Sequence, residues 1–400
     1  TLLGVRATQA GFDNMTTGLV MSMYYLGYSA GSLIVPKFVR EVGHIRVFAA
    51  MASLGSTVVL LHGIFVDPWF WAFGRIITGF CFASLFIVIE SWFNDISTAE
   101  TRGRILSLYA MALYGSLTLG QYLLNLSSTE TINLFVLVSV LVSVALVPIS
   151  LSKREAPALK TPKRIKIKDL YRISPLGIVG VTVSGFCAGA TFTIGPVYAI
   201  EQGMNAAQIA NFMAAIIAGG FLGQYPIGYL SDHIGRRPTL LIISLLVIVT
   251  SVVCFFTYGI TYIFYPALIA WGAGVLGLYS VATAYTNDHV EADQYVAVSA
   301  SLVLMNGLGA LLGPYSSSLL MQFFGVSGFF ATMFIAYLGF ITFLFYRSRV
   351  RQAVPIEDQV QQLNMPQRAT PYVASIIKDE WDNTEDSSDE SGSSDKEKDS

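Results

Sequence analysis

One short polar stretch of the sequence combines an acid, two arginines and two glycines at fixed spacing. It reads GYLSDHIGRR, from Gly228 to Arg237, and lies between two long apolar runs. Asp232 is able to accept hydrogen bonds from a helix N-terminus or to pair with an arginine, and Gly235 permits a tight turn. Gly228 would let neighbouring helices approach closely. We therefore expect an ion-pairing turn between two membrane helices, with Arg236 and Arg237 on its polar side.

Two charged residues belong to a single apolar run. Arg75 lies several residues inside GRIITGFCFASLFIVIESW. A charge at that depth usually faces a cavity or a partner, and snorkelling to interfacial water is the alternative. Glu90 follows fifteen residues later, about 22 Å along a helix, so the two side chains cannot touch. We expect Glu90 to form a gating salt bridge with Arg102, Arg104 or the Arg40 region, and an ordinary capped helix end is the alternative.

Several other kinds of chemistry find no support in the sequence. The three cysteines lie in apolar runs without a C-x-x-C spacing, which argues against disulfide and zinc frameworks. No Ser-His-Asp or phosphate-loop pattern occurs. The four histidines are scattered without metal-ligand spacing: His44, His62, His233 and His289. We expect no enzyme activity, no cofactor, no metal and no nucleic-acid partner.

The composition is that of a polytopic membrane protein. Of the 400 residues, 54% are hydrophobic and 12% charged, with a mean hydropathy of +0.58, whereas a soluble domain has about 25% charged residues. Residues 353–400 hold 12 of the 26 acids but only 4 of the 24 lysines and arginines. We expect this acidic tail to be disordered. An amphipathic helix in PYVASIIKDEW, from Pro371, is the alternative for one part of it.

Eleven apolar runs have the length of a transmembrane helix, about 20 residues. They occupy 15–39, 45–66, 69–93, 103–126, 131–151, 174–199, 206–230, 238–258, 261–285, 294–322 and 326–347. Lysines and arginines are concentrated in alternate loops, and the loops between them contain none. The positive-inside rule therefore predicts that the basic loops and the C-terminal tail lie in the cytoplasm.

An internal repeat divides the chain into two halves. A shift of 192 or 193 residues matches Gly11 with Gly203, Gly27 with Gly219, Gly31 with Gly223, Gly43 with Gly235, Gly79 with Gly272, and Asn94-Asp95 with Asn287-Asp288. We expect an all-α membrane fold of two pseudo-symmetric six-helix bundles, 1–152 and 174–351, with a basic cytoplasmic linker at 153–173 and the tail at 352–400. Because 174–192 has no partner before Thr1, we expect a first helix that is mostly missing, beside eleven full transmembrane helices.

The first half carries an altered counterpart of GYLSDHIGRR. The stretch PKFVREVGHIRVF, from Pro36, keeps Gly43 but has Arg40 where the second half has Asp232. An acid for this turn would have to come from Glu41 or Glu90.

A cavity between two such halves is the expected substrate site. Its wall candidates are polar or aromatic residues on helices that would line it: Arg75, Tyr109, Thr191, Thr193, Tyr198, Trp271, Tyr279 and Asn306. Tyr and Trp also favour membrane interfaces. None of the candidates is a carboxylate, so a proton carrier would be Glu201, Glu90 or a residue of the missing first helix.

These motifs resemble those of the major facilitator superfamily. GYLSDHIGRR is similar to its signature G-x-L-[SA]-D-R-x-G-R-R, with His233 at the usual first Arg. Arg75 with Gly79 resembles its R-x-x-x-G element, and Glu90 with the TRGR loop resembles its E…RG element. The resemblance implies that the Asp and Arg groups latch the cytoplasmic side in the outward-open state, and that Arg75 takes part in proton coupling. YLGYSAGS, VGHIRVFA, IESWFN and RGRILSLY resemble the YcaD-like bacterial group.

The resemblance implies a monomeric secondary transporter of the bacterial inner membrane. We expect proton-coupled uptake of a small molecule by alternating access. Gly120-Gln121 stands where the proton antiporters of the superfamily carry Gly-Pro, which favours uptake, although the repeat copy has Gly313-Pro314. The alternatives are a proton-driven drug or metabolite exporter and, from another class, a membrane scaffold or signalling protein that uses the acidic tail.

Overall fold

The computed structural model describes residues 1–96, 101–151, 166–290 and 294–350, together with Gln359, and in these regions it consists of helices joined by short loops. Most of the expected linker and tail lies outside them. The helices are Leu2–Gln9 (α1), Asn14–Val42 (α2), His44–Ile64 (α3), Pro68–Ile96 (α4), Arg102–Tyr122 (α5), Asn133–Ser150 (α6), Ile167–Ile173 (α7), Pro175–Glu201 (α8), Ala206–Ile234 (α9), Arg236–Thr257 (α10), Thr261–Asn287 (α11), Tyr295–Phe324 (α12) and Gly328–Val350 (α13).

Ten of the described helices are long and apolar enough to cross a membrane: α2, α3, α4, α6 and α8 to α13. The prediction of an all-α, multi-pass membrane protein is therefore confirmed. The eleventh expected run, 103–126, is also helical, as α5 and a short 3-10 turn, Leu123–Leu126, but it is not among the ten. Polar residues such as Arg104, Thr118 and Gln121 interrupt its apolar sequence.

Corresponding helices of the two halves begin and end in the same way. Asp13 caps the start of α2 through the Thr16 amide, and Asn205, 192 residues later, caps α9 in a capping box. Four glycines at matched turns have positive φ angles, which only glycine adopts without strain: 80° at Gly11, 79° at Gly203, 96° at Gly43 and 87° at Gly235. We call the end of the molecule at Gly43 and Gly235 the basic end, and the other the opposite end.

The repeat also governs how helices cross inside each half. A Cβ atom on Gly27 of α2 would overlap the carbonyl oxygen of Ile76 on α4, and a Cβ atom on Gly219 of α9 would overlap that of Ile269 on α11. The reciprocal contacts are those of Gly79 with Tyr24 and of Gly272 with Ile216. Each half is therefore fastened by a backbone-to-backbone crossing of the kind that small residues allow in membrane bundles.

The helix pairs with the most extensive contacts between the halves are α2 with α12, α5 with α9 and α1 with α8. Close to the opposite end, Gly18 of α2 lies against the Ser318 side chain of α12. About halfway along α2, the Ser29 hydroxyl lies against Gly307 of α12. The interface thus runs from the opposite end to the middle of the molecule along this pair.

Candidate functional site

A buried group of charged side chains lies at the basic end of the second half. Arg236 donates from Nη1 to Asp232 Oδ1 at 2.6 Å and to Ser231 Oγ at 2.9 Å, and from Nε to Asp288 Oδ2 at 3.2 Å. The Arg236 side chain is 2% exposed, that of Asp288 1% and that of Asp232 30%. We call these four residues the Arg236 cluster. A guanidinium this deeply buried is tolerated because carboxylates pair with it.

Three helices position the Arg236 cluster. The turn at Gly235 lets α10 begin directly at Arg236, one helical turn beyond Asp232 on α9. Asp288 is the residue that follows α11. The motif predicted that Asp232 would bond a helix N-terminus or pair with an arginine, and the structure shows the pair with Arg236, whereas the motif gave no sign of Asp288. The repeat did offer one, since Asn287-Asp288 matches Asn94-Asp95 of the first half.

The other residues of the motif support this turn. Arg237 donates from Nη2 to the Tyr285 hydroxyl at 3.1 Å, and its guanidinium lies 5.8 Å from the centroid of the same ring. Gly228 is buried in α9. His233, which replaces the usual arginine, is exposed and stacks on Tyr229 of its own helix. The motif therefore connects α9, α10 and α11 at the basic end.

In the described part of the first half, other residue types stand at two positions of the Arg236 cluster. Arg40 occupies the place of Asp232 and is exposed, and His44 occupies the place of Arg236 and is buried. Glu41 pairs with Lys37 at 3.9 Å on the surface. The side chain of Asp95, the counterpart of Asp288, lies outside the described residues.

Glu90 is fully buried near the basic end of α4. It accepts a hydrogen bond from the Tyr109 hydroxyl of α5 at 2.8 Å. Tyr279 of α11, also buried, is close enough to interact with it electrostatically. Of its expected partners, Arg104 is exposed, and the side chain of Arg102 is not described. Glu90 thus connects α4 with α5 and lies beside a helix of the second half.

A cavity of about 200 Å³ lies between the two halves. The first half contributes residues of α1, α2, α3, α4 and α6 to its wall, and the second half contributes residues of α8. The polar residues of the wall are Thr1, His62, Thr78, Thr193 and Arg75. Among the described residues that line it there is no Asp or Glu. The wall formed by the described residues is therefore mostly apolar and includes one arginine.

Arg75 is held in this wall by the crossing of α2 and α4. Its guanidinium carbon lies 4.4 Å from the centroid of the Tyr24 ring, within the range of a cation–π contact. Gly79, one turn further along α4, admits the backbone of Tyr24 and so brings this ring close to Arg75. The R-x-x-x-G spacing is thus explained locally: Gly79 allows Tyr24 to come close enough for its ring to contact the guanidinium of Arg75.

Only Arg75 and Thr193 of the eight wall candidates line this cavity. Thr191 donates to the backbone of its own helix, and Tyr198 and Trp271 are fully buried among the phenylalanines of the second half. The remaining three are placed as follows: Tyr109 bonds Glu90, Tyr279 is buried in α11, and Asn306 donates to the Val181 carbonyl of α8. Helix periodicity alone did not reveal which faces point inward.

Glu201 and His62 lie at the opposite end of the molecule. Glu201 is the last residue of α8 and hydrogen-bonds the Asn14 side chain at the start of α2, away from the cavity wall. His62 is 1% exposed and lines the cavity together with Arg75. The sequence offered no signal for His62 beyond its place inside an apolar run, and it was not among the expected wall residues.

Comparisons with known proteins agree with this architecture. The family model of the Major Facilitator Superfamily matches residues 2–223 and 202–379. An uncharacterized MFS-type transporter of Yersinia pestis is 31% identical over 311 residues, which cover 76% of this chain and 79% of the relative. The uncharacterized MFS-type transporter YcaD of Escherichia fergusonii is 30% identical over 329 residues, or 82% of this chain and 85% of the relative.

A solved structure shares the fold. It is a bacterial homologue of the human lysosomal transporter Spinster, in an inward-facing and occupied conformation. Its TM-score is 0.72 at 14% identity, and the match covers 90% of this chain and 94% of that one. The family model, the relatives and this structural likeness together confirm the family resemblance that the sequence motifs indicated. The chain belongs to the major facilitator superfamily.

Proposed function

We propose that the protein is a secondary active transporter that moves a small molecule across the bacterial inner membrane by alternating access of its two halves. The observation that carries this proposal is the cavity between the halves, because a site bounded by both bundles is the one that their rocking would expose to each side in turn. The basic loops and the tail face the cytoplasm, and the protein acts as a monomer.

The Arg236 cluster acts as the gate of the second half. It connects α9, α10 and α11 at the basic end, where those helices must move together when the cytoplasmic side opens or closes. Glu90 with Tyr109 is the corresponding element of the first half. Arg104, which is exposed, would meet a partner from the second half in another state of the cycle.

The transport is coupled to protons in the direction of uptake. Arg75 supports this proposal, because its positive charge in the cavity wall interacts electrostatically with a charged substrate or proton in the cavity. A proton-driven exporter would use the same cavity with the opposite proton movement, so the direction of the proton flux separates the two.

Purified full-length chain in liposomes that contain a pH-sensitive dye tests this function. Ligands are first chosen from a metabolite panel by thermal stabilisation, and each is then added outside. Uptake with a proton acidifies the lumen, and exchange for a proton makes it alkaline. We expect acidification with at least one ligand, and loss of most of it in Arg75→Gln. Arg172→Gln, an exposed arginine of α7, is the matched control. If no stabilising ligand gave either flux, the transporter assignment would be rejected.

A further inference from the structure

We infer that the second half binds one acyl chain of a membrane phospholipid in a groove on its outer surface, at the opposite end of the molecule. This site is separate from the cavity between the halves. The acyl chain would be bound whether or not the protein transports anything.

The groove has a volume of about 350 Å³ and lies where α10 packs against α13. Most of its wall is aromatic, with five phenylalanines from three helices, and one small residue of α13 adjoins them. These six residues are Phe255, Phe256, Phe324, Phe330, Ala331 and Phe334. We call the site the phenylalanine groove.

The phenylalanine groove lies within the membrane-spanning part of the protein, because α10 and α13 are both long and apolar enough to cross a bilayer. Ser251, which also lines it, is six residues before the end of α10, about 9 Å at 1.5 Å per residue. The hydrocarbon of one leaflet is about 15 Å deep. Tyr258 and Tyr262, both exposed, follow α10, and tyrosine favours the membrane interface. The groove therefore opens into hydrocarbon just beneath the head groups.

The two sides of the phenylalanine groove differ in burial. Phe256 is 74% exposed, whereas Phe330 is 2% exposed. The Phe330 ring packs edge-on against Trp271 and Tyr198, with centroids 5.7 and 5.1 Å apart. An acyl chain in the groove would therefore lie between exposed rings and the buried aromatic core of the second half, and its binding would stabilise that core.

The chemistry of the wall selects hydrocarbon over a polar ligand. Ser251 is the polar residue among the described residues that line the groove, and its hydroxyl accepts a hydrogen bond from Trp271 Nε1 at 2.9 Å. Small-molecule sites have volumes of about 300 to 1,000 Å³, so this groove suits a slender occupant. A single acyl chain gains dispersion contacts with rings on several sides, and the surrounding bilayer supplies acyl chains at high concentration.

The neighbouring loops contribute nothing to recognition of a charged head group. Those at 258–260 and 325–327 read YGI and GVS and contain no charged residue. Anionic lipids are held at membrane surfaces mainly by clusters of lysine and arginine. We therefore expect the phospholipid to be bound through its acyl chain, with little dependence on the charge of its head group.

The test uses the full-length chain in detergent and phosphatidylethanolamine that carries a photoreactive diazirine midway along one acyl chain. Mass spectrometry of the cross-linked peptides locates the acyl chain. We expect saturable labelling that is concentrated in the phenylalanine groove and is displaced by unlabelled lipid. Phosphatidylglycerol with the same acyl chains should bind with an affinity within about threefold, since no lysine or arginine adjoins the site. Either lipid should raise the melting temperature.

Variants separate binding in the groove from contact with bulk lipid. Ala331→Trp places an indole in the groove and should lower the affinity at least about tenfold and abolish the lipid-dependent rise in melting temperature. Leu338→Trp adds the same indole to an exposed position of α13 outside the groove and should change neither. Phe256→Ala removes one exposed ring and should weaken binding about fivefold. The melting temperature of each variant without lipid shows whether it is folded.

Four outcomes would overturn the inference. Adducts spread evenly over the exposed faces of α6 and α10 would indicate bulk lipid contact only. A strong preference for phosphatidylglycerol would place recognition at the head group, and binding of free palmitate without phospholipid would identify another occupant. A change of oligomeric mass in Ala331→Trp would make the groove a contact between two copies of the chain. The cross-link map of the unmodified protein decides the first of these even if a variant fails to fold.

Discussion

Single residues at the basic end differ in how deeply their charges are buried. Arg236 is 2% exposed and is paired with two carboxylates, whereas the Lys37–Glu41 pair of the first half is 68% and 58% exposed. A buried charge that loses a partner destabilises a protein far more than an exposed pair does, because water cannot replace the lost contact. The two pairs therefore serve as a matched comparison.

Asp288→Asn should lower the stability of the folded protein by about 3 kcal/mol, because it leaves the buried Arg236 with one carboxylate. Glu41→Gln should change it by less than about 1 kcal/mol. Reversible denaturation in mild detergent measures both. Equal effects of the two substitutions would contradict the role that we assign to burial.

Asp232→Asn should reduce transport while leaving membrane insertion and expression intact. The Asp232 carboxylate is partly exposed and bonds Arg236 at 2.6 Å, so its replacement weakens the gate more than it weakens the core. Substrate flux in liposomes, normalised to the amount of inserted protein, provides the measurement. Normal flux in this variant would show that the pair does not gate transport.

The sequence predicted part of this chemistry and missed part for a physical reason. Asp232 and Arg236 are four residues apart on adjoining helices, so their spacing was sufficient to pair them. Asp288 lies 52 residues from Arg236 along the chain, and His62 is a lone histidine in an apolar run. Their positions depend on how α3, α4, α10 and α11 rotate against each other, which no spacing within one helix specifies.

Among the structural elements, the two glycine crossings have matching close approaches in the two halves. Gly27 with Ile76 and Gly219 with Ile269 bring backbone against backbone at positions related by 192 and 193 residues. The repeat in the sequence predicted that these glycines correspond, and the structure supplies the reason. The face of each helix that carries the crossing was not predictable, since glycine has no side chain whose polarity marks a direction.

Gly219→Ala should destabilise the second half by about 1 to 3 kcal/mol, because the added Cβ would overlap the Ile269 carbonyl and force α9 away from α11. Gly339→Ala, in α13, is the matched control. A Cβ atom there meets nothing within 4 Å, and alanine favours the helix. Thermal unfolding in detergent compares the two. Similar melting temperatures for both variants would show that α9 and α11 move apart to admit the added Cβ atom without loss of stability.

For the whole molecule, the proposed alternating access would move each half as a unit, because the crossings hold its helices close together. The contacts of α2 with α12 extend from the opposite end to the middle, and this pair would form the axis of the proposed rocking. The multi-pass fold followed from the sequence, because apolar run length and loop charge are themselves the physical determinants of membrane folding. The family followed from the resemblance of the motifs. The geometry between the halves did not, since it depends on contacts between distant segments.

Spin labels at the two ends test this movement. Phe38→Cys with Ile234→Cys reports the basic end, and Phe65→Cys with Ile260→Cys reports the opposite end; all four native side chains are exposed. The native cysteines are buried and should not be labelled. On addition of a transported ligand, the distance at one end should increase while the other decreases.

A label pair within one half is the control for the rocking experiment. Ile234→Cys with Tyr346→Cys lies entirely in the second half and should keep its distance when ligand is added. Parallel changes at both ends of the molecule, or a change within this half, would contradict rigid-body alternating access.

The burial of Arg236 also determines how its ion pairs respond to changes in ionic strength. Dissolved ions weaken exposed charge pairs, since the screening length is about 8 Å at physiological salt and shortens as salt rises. They do not reach a guanidinium that is 2% exposed and enclosed by two carboxylates and a hydroxyl. The Arg236 cluster should therefore keep its strength in concentrated salt, while surface pairs such as Lys37–Glu41 lose theirs. We therefore expect osmotic stress to leave the proposed gate of the second half intact.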